Sequence, residues 1–134
     1  MQIDLTQKEF RRLLDLVYIG NWILNSTRGD DRFQDYDDLE SKLFGLCRGN
    51  GMKALVQDWN GISVPSKAYT EGGIHEAIAC YEDTVFYEIL AEELARRDLN
   101  LFGEPEDPAP LNNRIEEYMQ EFEANGLENL SVDF

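Results

Sequence analysis

The sequence predicts an all-α fold, a single-domain bundle of four to five helices with two long helices at its centre. Apolar residues recur at the three- and four-residue spacing of a helix along three long segments of the chain. No segment alternates apolar and polar residues over a useful length, so we expect no sheet. At 134 residues, of which 43% are hydrophobic, the chain has the size and composition of one folded domain.

The first helix is expected to begin at Thr6. Thr6 and Glu9 form a capping box, in which each side chain accepts a hydrogen bond from the backbone of the other. Apolar residues then cover two sides of the helix, which is typical of a helix packed against more than one neighbour. Asn21 lies on the main stripe and must find a hydrogen-bond partner if it is buried. The stripes are Phe10, Leu13, Leu14, Val17 and Leu24 on one side, and Leu16, Ile19 and Ile23 on the other.

The residue pattern of the following segment predicts two shorter helices. The first spans residues 36–47, with Asp35 as its N-terminal cap and a glycine-rich stop after it. The second spans residues 52–59 and ends at the turn dipeptide Asn60-Gly61. We expect residues 62–65 to form an extended loop rather than a strand.

The longest helical pattern begins near Glu71 and runs to Arg97. The pair Gly72-Gly73 weakens its first turn, because glycine is a poor helix former. Three of the four prolines fall within residues 99–110, which therefore form an acidic linker after a bundle core of residues 1–98. The apolar face of this helix consists of Ile74, Ala77, Ile78, Tyr81, Val85 and Ile89.

Residues 111–134 are expected to form a C-terminal amphipathic helix and a tail. The helix has a single apolar stripe and stops at Asn125-Gly126. The tail still carries Leu130, Val132 and Phe134, so we expect part of it to dock onto the fold. The stripe consists of Leu111, Ile115, Tyr118, Met119 and Phe122.

The two cysteines, Cys47 and Cys80, are expected to be reduced thiols in the core. Each lies among apolar residues, and no paired-cysteine or cysteine–histidine spacing occurs. Aromatic residues at helical spacing are likewise expected in the core, with a ligand pocket as the alternative. These residues are Trp22, Trp59, Tyr81, Phe86 and Tyr87.

Nothing in the sequence indicates secretion or membrane insertion. The N-terminal residues lack the basic and then apolar pattern of a signal peptide. The most apolar run, Leu13–Leu24, contains Asp15 and Asn21 and is shorter than the roughly 20 residues that span a bilayer. We therefore expect a soluble, cytoplasmic protein that has no membrane partner.

The charge is the most unusual property of the chain. It has 27 acidic and 12 basic residues, a formal net charge of −15. This excludes direct nucleic-acid binding of the usual kind, which depends on Lys and Arg neutralising phosphates. Residues 1–70 hold ten acidic and nine basic residues, whereas residues 71–134 hold 17 and three. We expect a partner-binding surface in the second half, formed by Glu88, Glu92, Glu116, Glu117, Tyr118, Glu121, Phe122 and Glu123.

A metal site is one alternative. Glu71, His75 and Glu82 lie along one side of the fourth helix and could offer two carboxylates and an imidazole. Metal sites in helical bundles, however, draw ligands from several helices, usually with two Glu-x-x-His pairs. His75 is the only histidine and its spacing is Glu-x-x-x-His. The favoured interpretation is a histidine at the edge of the core in a local ion pair.

Other catalytic and ligand motifs are incomplete. The acidic residues between Asp30 and Glu40 fail the calcium-loop pattern, since Asp35 stands where glycine and Ser41 where glutamate is required. No nucleophile is paired with a base, and neither glycine pair is followed by the Lys-Ser/Thr of a phosphate loop. We expect no cofactor.

Three functions remain open at the level of sequence. The leading hypothesis is a non-enzymatic protein-interaction or regulatory module, in which residues 111–134 cover another protein, with a basic protein as one option, or a second copy of the chain. The second is an acidic decoy whose carboxylates mimic phosphates in the groove of a basic protein. The third is a metal-assisted hydrolase that uses Glu71, His75 and Glu82.

Overall fold

A computed structural model describes all residues, Met1–Phe134, and confirms the all-α class. The chain forms two compact units, an N-terminal unit (Met1–Ile78) and a C-terminal unit (Ala79–Phe134). No helix is both long and apolar enough to cross a membrane. The helices are α1 (Gln7–Asn25), α2 (Gln34–Gly45), α3 (Lys67–Tyr69), α4 (His75–Leu99) and α5 (Ala109–Asn125), and the strands are β1 (Val56–Trp59) and β2 (Ile62–Pro65).

The N-terminal unit is built around α1, which packs against α2. The predicted capping box is present: the Thr6 hydroxyl accepts from the Glu9 amide at 3.1 Å, and the Glu9 carboxylate accepts from the Thr6 amide at 3.0 Å. These two bonds satisfy backbone donors that the first turn cannot pair internally. The core of this unit consists of Phe10, Leu14, Tyr18, Phe44, Cys47, Val56, Tyr69 and Ile78.

A two-stranded antiparallel sheet replaces the predicted third helix and the extended loop. Only Lys53–Leu55 is helical in that region, as a single 3₁₀ turn. The strands β1 and β2 then pair with Val56 opposite Pro65 and Trp59 opposite Ile62. Asn60 and Gly61 have φ of 51° and 80°, the conformation that a two-residue hairpin turn requires. The turn was predicted correctly, but its two strands were not, and β2 packs against α2.

The boundaries of the second and fourth helices also differ from the prediction. The cap of α2 is Phe33 rather than Asp35, which lies in the first turn, and α2 ends at Gly45 before a 3₁₀ turn, Leu46–Gly49. The fourth helix is preceded by the α3 turn and a π-helical turn, Thr70–Ile74. Gly73 in this π turn has a φ of 113°, which an L side chain rarely adopts. The regular part of α4 therefore begins at His75.

The C-terminal unit is an antiparallel pair formed by α4 and α5. Tyr87 contacts Phe122, while Asp98 bonds Arg114 near the start of α5. Ala91 and Ala95 of α4 are fully buried. The apolar stripe of α5 is therefore covered within the chain: Leu111 and Phe122 are buried, and Ile115, Tyr118 and Met119 are half-buried.

Several residues predicted to be buried are exposed. Cys80 is exposed whereas Cys47 is buried, and both thiols are free. Trp59, Tyr81 and Phe86 are exposed rather than part of the core, because no other helix covers their sides of β1 and α4. Trp22 lies at the edge of the core. In the tail, Leu130, Val132 and Phe134 stay exposed, so the expected docking is not seen.

Candidate functional site

A groove runs along the α4–α5 pair of the C-terminal unit, with a volume of about 810 Å³. Tyr87, Met119 and Phe122 form its apolar part, and the Tyr87 and Phe122 rings are 5.5 Å apart. Glu116 and Glu123 stand at its edge, seven residues apart on one face of α5. We call this feature the acidic groove; it is lined by Thr84, Tyr87, Glu116, Met119, Gln120, Phe122 and Glu123.

Tyr87 is the aromatic residue of α4 that meets α5 at this groove. Its ring packs on both Phe86 and Phe122. Ala91 and Ala95, four and eight residues further along the same side of α4, are fully buried.

The predicted partner-binding residues do not all lie in the acidic groove. Glu116 and Glu123 line the acidic groove, together with Phe122, and Glu88 is exposed elsewhere on α4. A second group is already engaged within the unit: Glu92 pairs with Arg96 at 3.0 Å, Glu117 pairs with Arg114 at 2.8 Å, and Glu121 accepts from Asn125 and Asn129. Tyr118 is half-buried and donates its hydroxyl to Asp98.

Asp98 joins the two helices and was not singled out from the sequence. Its carboxylate accepts from Arg97 at 2.9 Å, from Arg114 at 2.8 and 3.0 Å, and from the Tyr118 hydroxyl. The bond from Tyr118 and those from the two arginines lower the pKa of Asp98 to about 2. Two of the three basic residues of this unit are thus committed to one internal contact.

A buried polar cluster ties α1 to α2 in the N-terminal unit. Asn25 donates to Asn21 at 2.7 Å and to the Phe33 carbonyl at 3.1 Å, and it accepts from the Phe33 amide at 2.8 Å. Asn21 is buried and donates to Asp37 at 2.9 Å, so it has the hydrogen-bond partner that a buried asparagine was expected to find. Arg32 binds both oxygens of Asp37.

Glu40 lies beside this cluster, and the pKa of its carboxyl is shifted. Burial raises the pKa of Glu40 to about 7, and the nearby charge of Asp37 adds to the rise, while Asn21 and Arg32 oppose it. The pKa of Tyr18 is raised as well, first by burial and then by the charge of Glu40. No spacing in the sequence distinguishes Glu40 from its acidic neighbours.

His75 belongs to an aromatic cluster and not to an ion pair. Its Nε2 atom lies 2.6 Å from the Tyr18 hydroxyl, and its ring packs edge-on against Tyr18 and Trp22 at centroid distances of 5.5 and 4.7 Å. Glu71 instead approaches Lys67 at 3.8 Å. The ion-pair interpretation of His75 is therefore wrong, although the side chain does lie at the edge of the core.

The metal hypothesis gains no support from this geometry. Glu71 and His75 line an open cavity of about 460 Å³ together with Thr70, Gly73 and Glu76. Glu82 lies in the other unit and is exposed. No three His, Cys, Asp or Glu side chains are grouped so that they could hold a metal ion.

A second surface of interest lies on α1. The sequence predicts apolar residues on two sides of this helix, but the second side is covered only in part: Ile19 packs against the core, whereas Leu16 and Ile23 are 69% and 62% exposed. A shallow cavity of about 390 Å³ lies at the N-terminal end of the exposed side. We call this surface the basic face of α1; it is lined by Lys8, Glu9, Arg12, Leu13 and Leu16 of the helix and by Ile3 and Leu5, which precede it.

Comparison with known proteins identifies no relative of this chain. No family model, no curated protein and no solved structure matches the chain.

Proposed function

We propose that the protein is a non-enzymatic protein-interaction module whose acidic groove binds a basic, amphipathic helix of a partner protein. The observation that carries the proposal is an apolar floor bordered by acids that have no ion pair. Glu116 and Glu123 pair with no cation, unlike Glu92 and Glu117. Apolar side chains favour burial of a partner's apolar stripe, and the two carboxylates favour cations beside it.

A helix suits this groove better than a point ligand does. A groove between two helices accepts a third helix through contacts spaced three and four residues apart. Met119 lies on its apolar part, and methionine adapts to differently shaped partners because its side chain is unbranched and flexible. The C-terminal unit also has 15 acidic and only three basic residues, which attracts a basic partner from a distance.

The proposal is tested with a synthetic helical peptide in which leucine and lysine alternate at helical spacing. Its affinity is measured by fluorescence anisotropy against a scrambled peptide of the same composition, which keeps the charge but has no apolar stripe. We expect the amphipathic peptide to bind more tightly. If both peptides bind equally, the groove does not recognise an amphipathic helix and the proposal fails.

Charge variants locate the binding site. An exposed ion pair contributes about 0.2 to 1 kcal/mol, so Glu116→Gln with Glu123→Gln should weaken binding by about two- to thirty-fold. The matched control, Glu104→Gln with Glu106→Gln, removes two exposed acids of the linker and should leave the affinity unchanged.

The acidic-decoy hypothesis predicts a different result in the same assay. Binding would then depend on total charge alone, so that both double variants weaken it equally. Salt would abolish it, and Met119→Ser would have no effect. The interaction module instead requires that Met119→Ser weakens binding.

A further inference from the structure

We propose that the occupant of the acidic groove is the basic face of α1 from a second copy of the chain. This inference rests on the proposed function and names the partner. Lys8, Arg12 and Leu16 follow one another at intervals of four residues, so they lie along one side of α1. The side chain of Arg12 is 70% exposed and its nearest acid, Asp15, is 3.8 Å away. The face therefore combines available cations with exposed apolar side chains.

Among the four long helices, α1 is the one whose charge matches the groove. It has three basic and two acidic residues, whereas α2 has one basic and four acidic. The arginines of α4 and α5 are engaged within the C-terminal unit: Arg96 with Glu92, and Arg97 and Arg114 with Asp98. A helix of this chain that supplies cations to a second copy is thus α1.

The spacing of the charges is compatible with this pairing once the length of the cationic side chains is included. Glu116 and Glu123 are about 10 Å apart along α5, and Lys8 and Arg12 are about 6 Å apart along α1, at 1.5 Å per residue. Lysine and arginine have long, flexible side chains that can span the difference while their stems cover apolar surface. On either side of the two cations, Leu5 and Leu16 are available to contact Tyr87, Met119 and Phe122.

Each chain carries both surfaces, and the proposed assembly is a reciprocal dimer of two copies. The basic face of each copy then fills the groove of the other, and the two contacts are related by a two-fold axis. Such a dimer buries two equal interfaces at once, which brings the total area closer to the range of about 1,200–2,000 Å² that stable interfaces bury. It also covers the exposed apolar residues of α1, which a monomer leaves in water.

The test is a charge exchange between two chains, with assembly measured by sedimentation velocity over a wide range of concentrations. One variant carries Lys8→Glu with Arg12→Glu, and the other carries Glu116→Lys with Glu123→Lys. We expect the wild-type chain to form a dimer and each variant alone to be monomeric, since like charges then face each other. Mixing the two variants restores opposite charges at both contacts and should give a heterodimer.

The control variant is Lys42→Glu with Lys53→Glu, which reverses two exposed cations outside the basic face and should still form a dimer. Circular dichroism establishes that each variant is folded. A wild-type chain that stays monomeric at every concentration, or variants that do not combine, would overturn the inference. If the wild type is monomeric but the amphipathic peptide binds at the groove, the proposed function stands and only the choice of partner is wrong.

Discussion

Glu40 illustrates how a single residue can oppose the stability of its own surroundings. Its carboxyl is half-buried between the Asn21–Asp37–Arg32 cluster and Tyr18, and its pKa is raised to about 7. A carboxyl whose pKa is higher in the folded than in the unfolded state binds a proton more readily when folded. The folded N-terminal unit is therefore favoured at low pH by this group, and it loses that advantage as the pH rises from about 4.5 through 7.

Glu40→Gln removes this titration. We expect the variant to unfold at a higher temperature than the wild type at pH 8, and at nearly the same temperature at pH 5. Trp22 and Trp59 are the only tryptophans and both lie in the N-terminal unit, so their fluorescence follows its unfolding. The matched control is Asp38→Asn, an exposed acid on the same helix that should not change the pH dependence. Parallel curves for Glu40→Gln and wild type would contradict the assignment.

At the scale of elements, the π turn before α4 depends on one glycine and not on its neighbour. Gly73 has a φ of 113°, whereas Gly72 does not require a positive φ and has open space around it. The chain needs this irregular turn to pass from the α3 turn into α4, where His75 meets Tyr18. Glycine adopts such a φ without strain, whereas an L side chain at this position would strain the turn.

Alanine substitution distinguishes the two glycines. Gly73→Ala should lower the free energy of unfolding by about 1 to 3 kcal/mol, because an L side chain is strained at this φ. Gly72→Ala should be neutral or stabilise by up to about 1 kcal/mol, because alanine loses less backbone entropy in a helical conformation. Urea unfolding followed by tryptophan fluorescence measures both. Equal effects of the two substitutions would show that the turn relaxes to a regular helix.

The elements also show what a sequence can and cannot reveal. The Thr6–Glu9 capping box and the Asn60-Gly61 turn are local, because residues a few positions apart determine them, and both were predicted correctly. The strands β1 and β2 have only four residues each, too few for alternation to be recognised. Periodicity also identified the apolar face of α4, but it cannot tell whether a neighbour covers that face, and Tyr81 and Ile89 are exposed.

The same limit applies to the candidate site. The concentration of acid in the second half of the chain directed attention to α4 and α5, and Glu116 and Glu123 of α5 line the acidic groove. Glu92 and Glu117 could have been set apart from these residues, because their arginines lie four and three residues away on the same helix and form local ion pairs. Asp98 was missed because its partners Arg114 and Tyr118 lie on another helix, 16 and 20 residues away.

At the scale of the whole molecule, the charge is divided unequally between the two units. The N-terminal unit has 12 acidic and nine basic residues, whereas the C-terminal unit has 15 and three. Repulsion among like charges on the same surface destabilises a compact state, and dissolved salt weakens it. The stability of the C-terminal unit should therefore rise with salt, although its few ion pairs weaken.

Amide hydrogen exchange along α5 measures this effect. As the screening length falls from about 30 Å at 0.01 M salt to about 8 Å at 0.15 M, we expect exchange in α5 to become slower. Glu88→Gln with Glu93→Gln removes two exposed acids of α4 that have no ion pair, and this variant should show a smaller change. Faster exchange at the higher salt concentration would mean that the Asp98–Arg114 contact outweighs the repulsion.

The different exposure of the two cysteines allows the opening of the N-terminal unit to be measured in the unmodified chain. Cys80 is exposed at the start of the C-terminal unit, while Cys47 is buried in the other unit and burial raises the pKa of its thiol. A thiol-reactive dye should therefore label Cys80 alone in the native protein, because the thiolate is the reactive form. Labelling of Cys47 requires the N-terminal unit to open. The slow rate of Cys47 labelling therefore measures how often that unit opens, without any engineered residue.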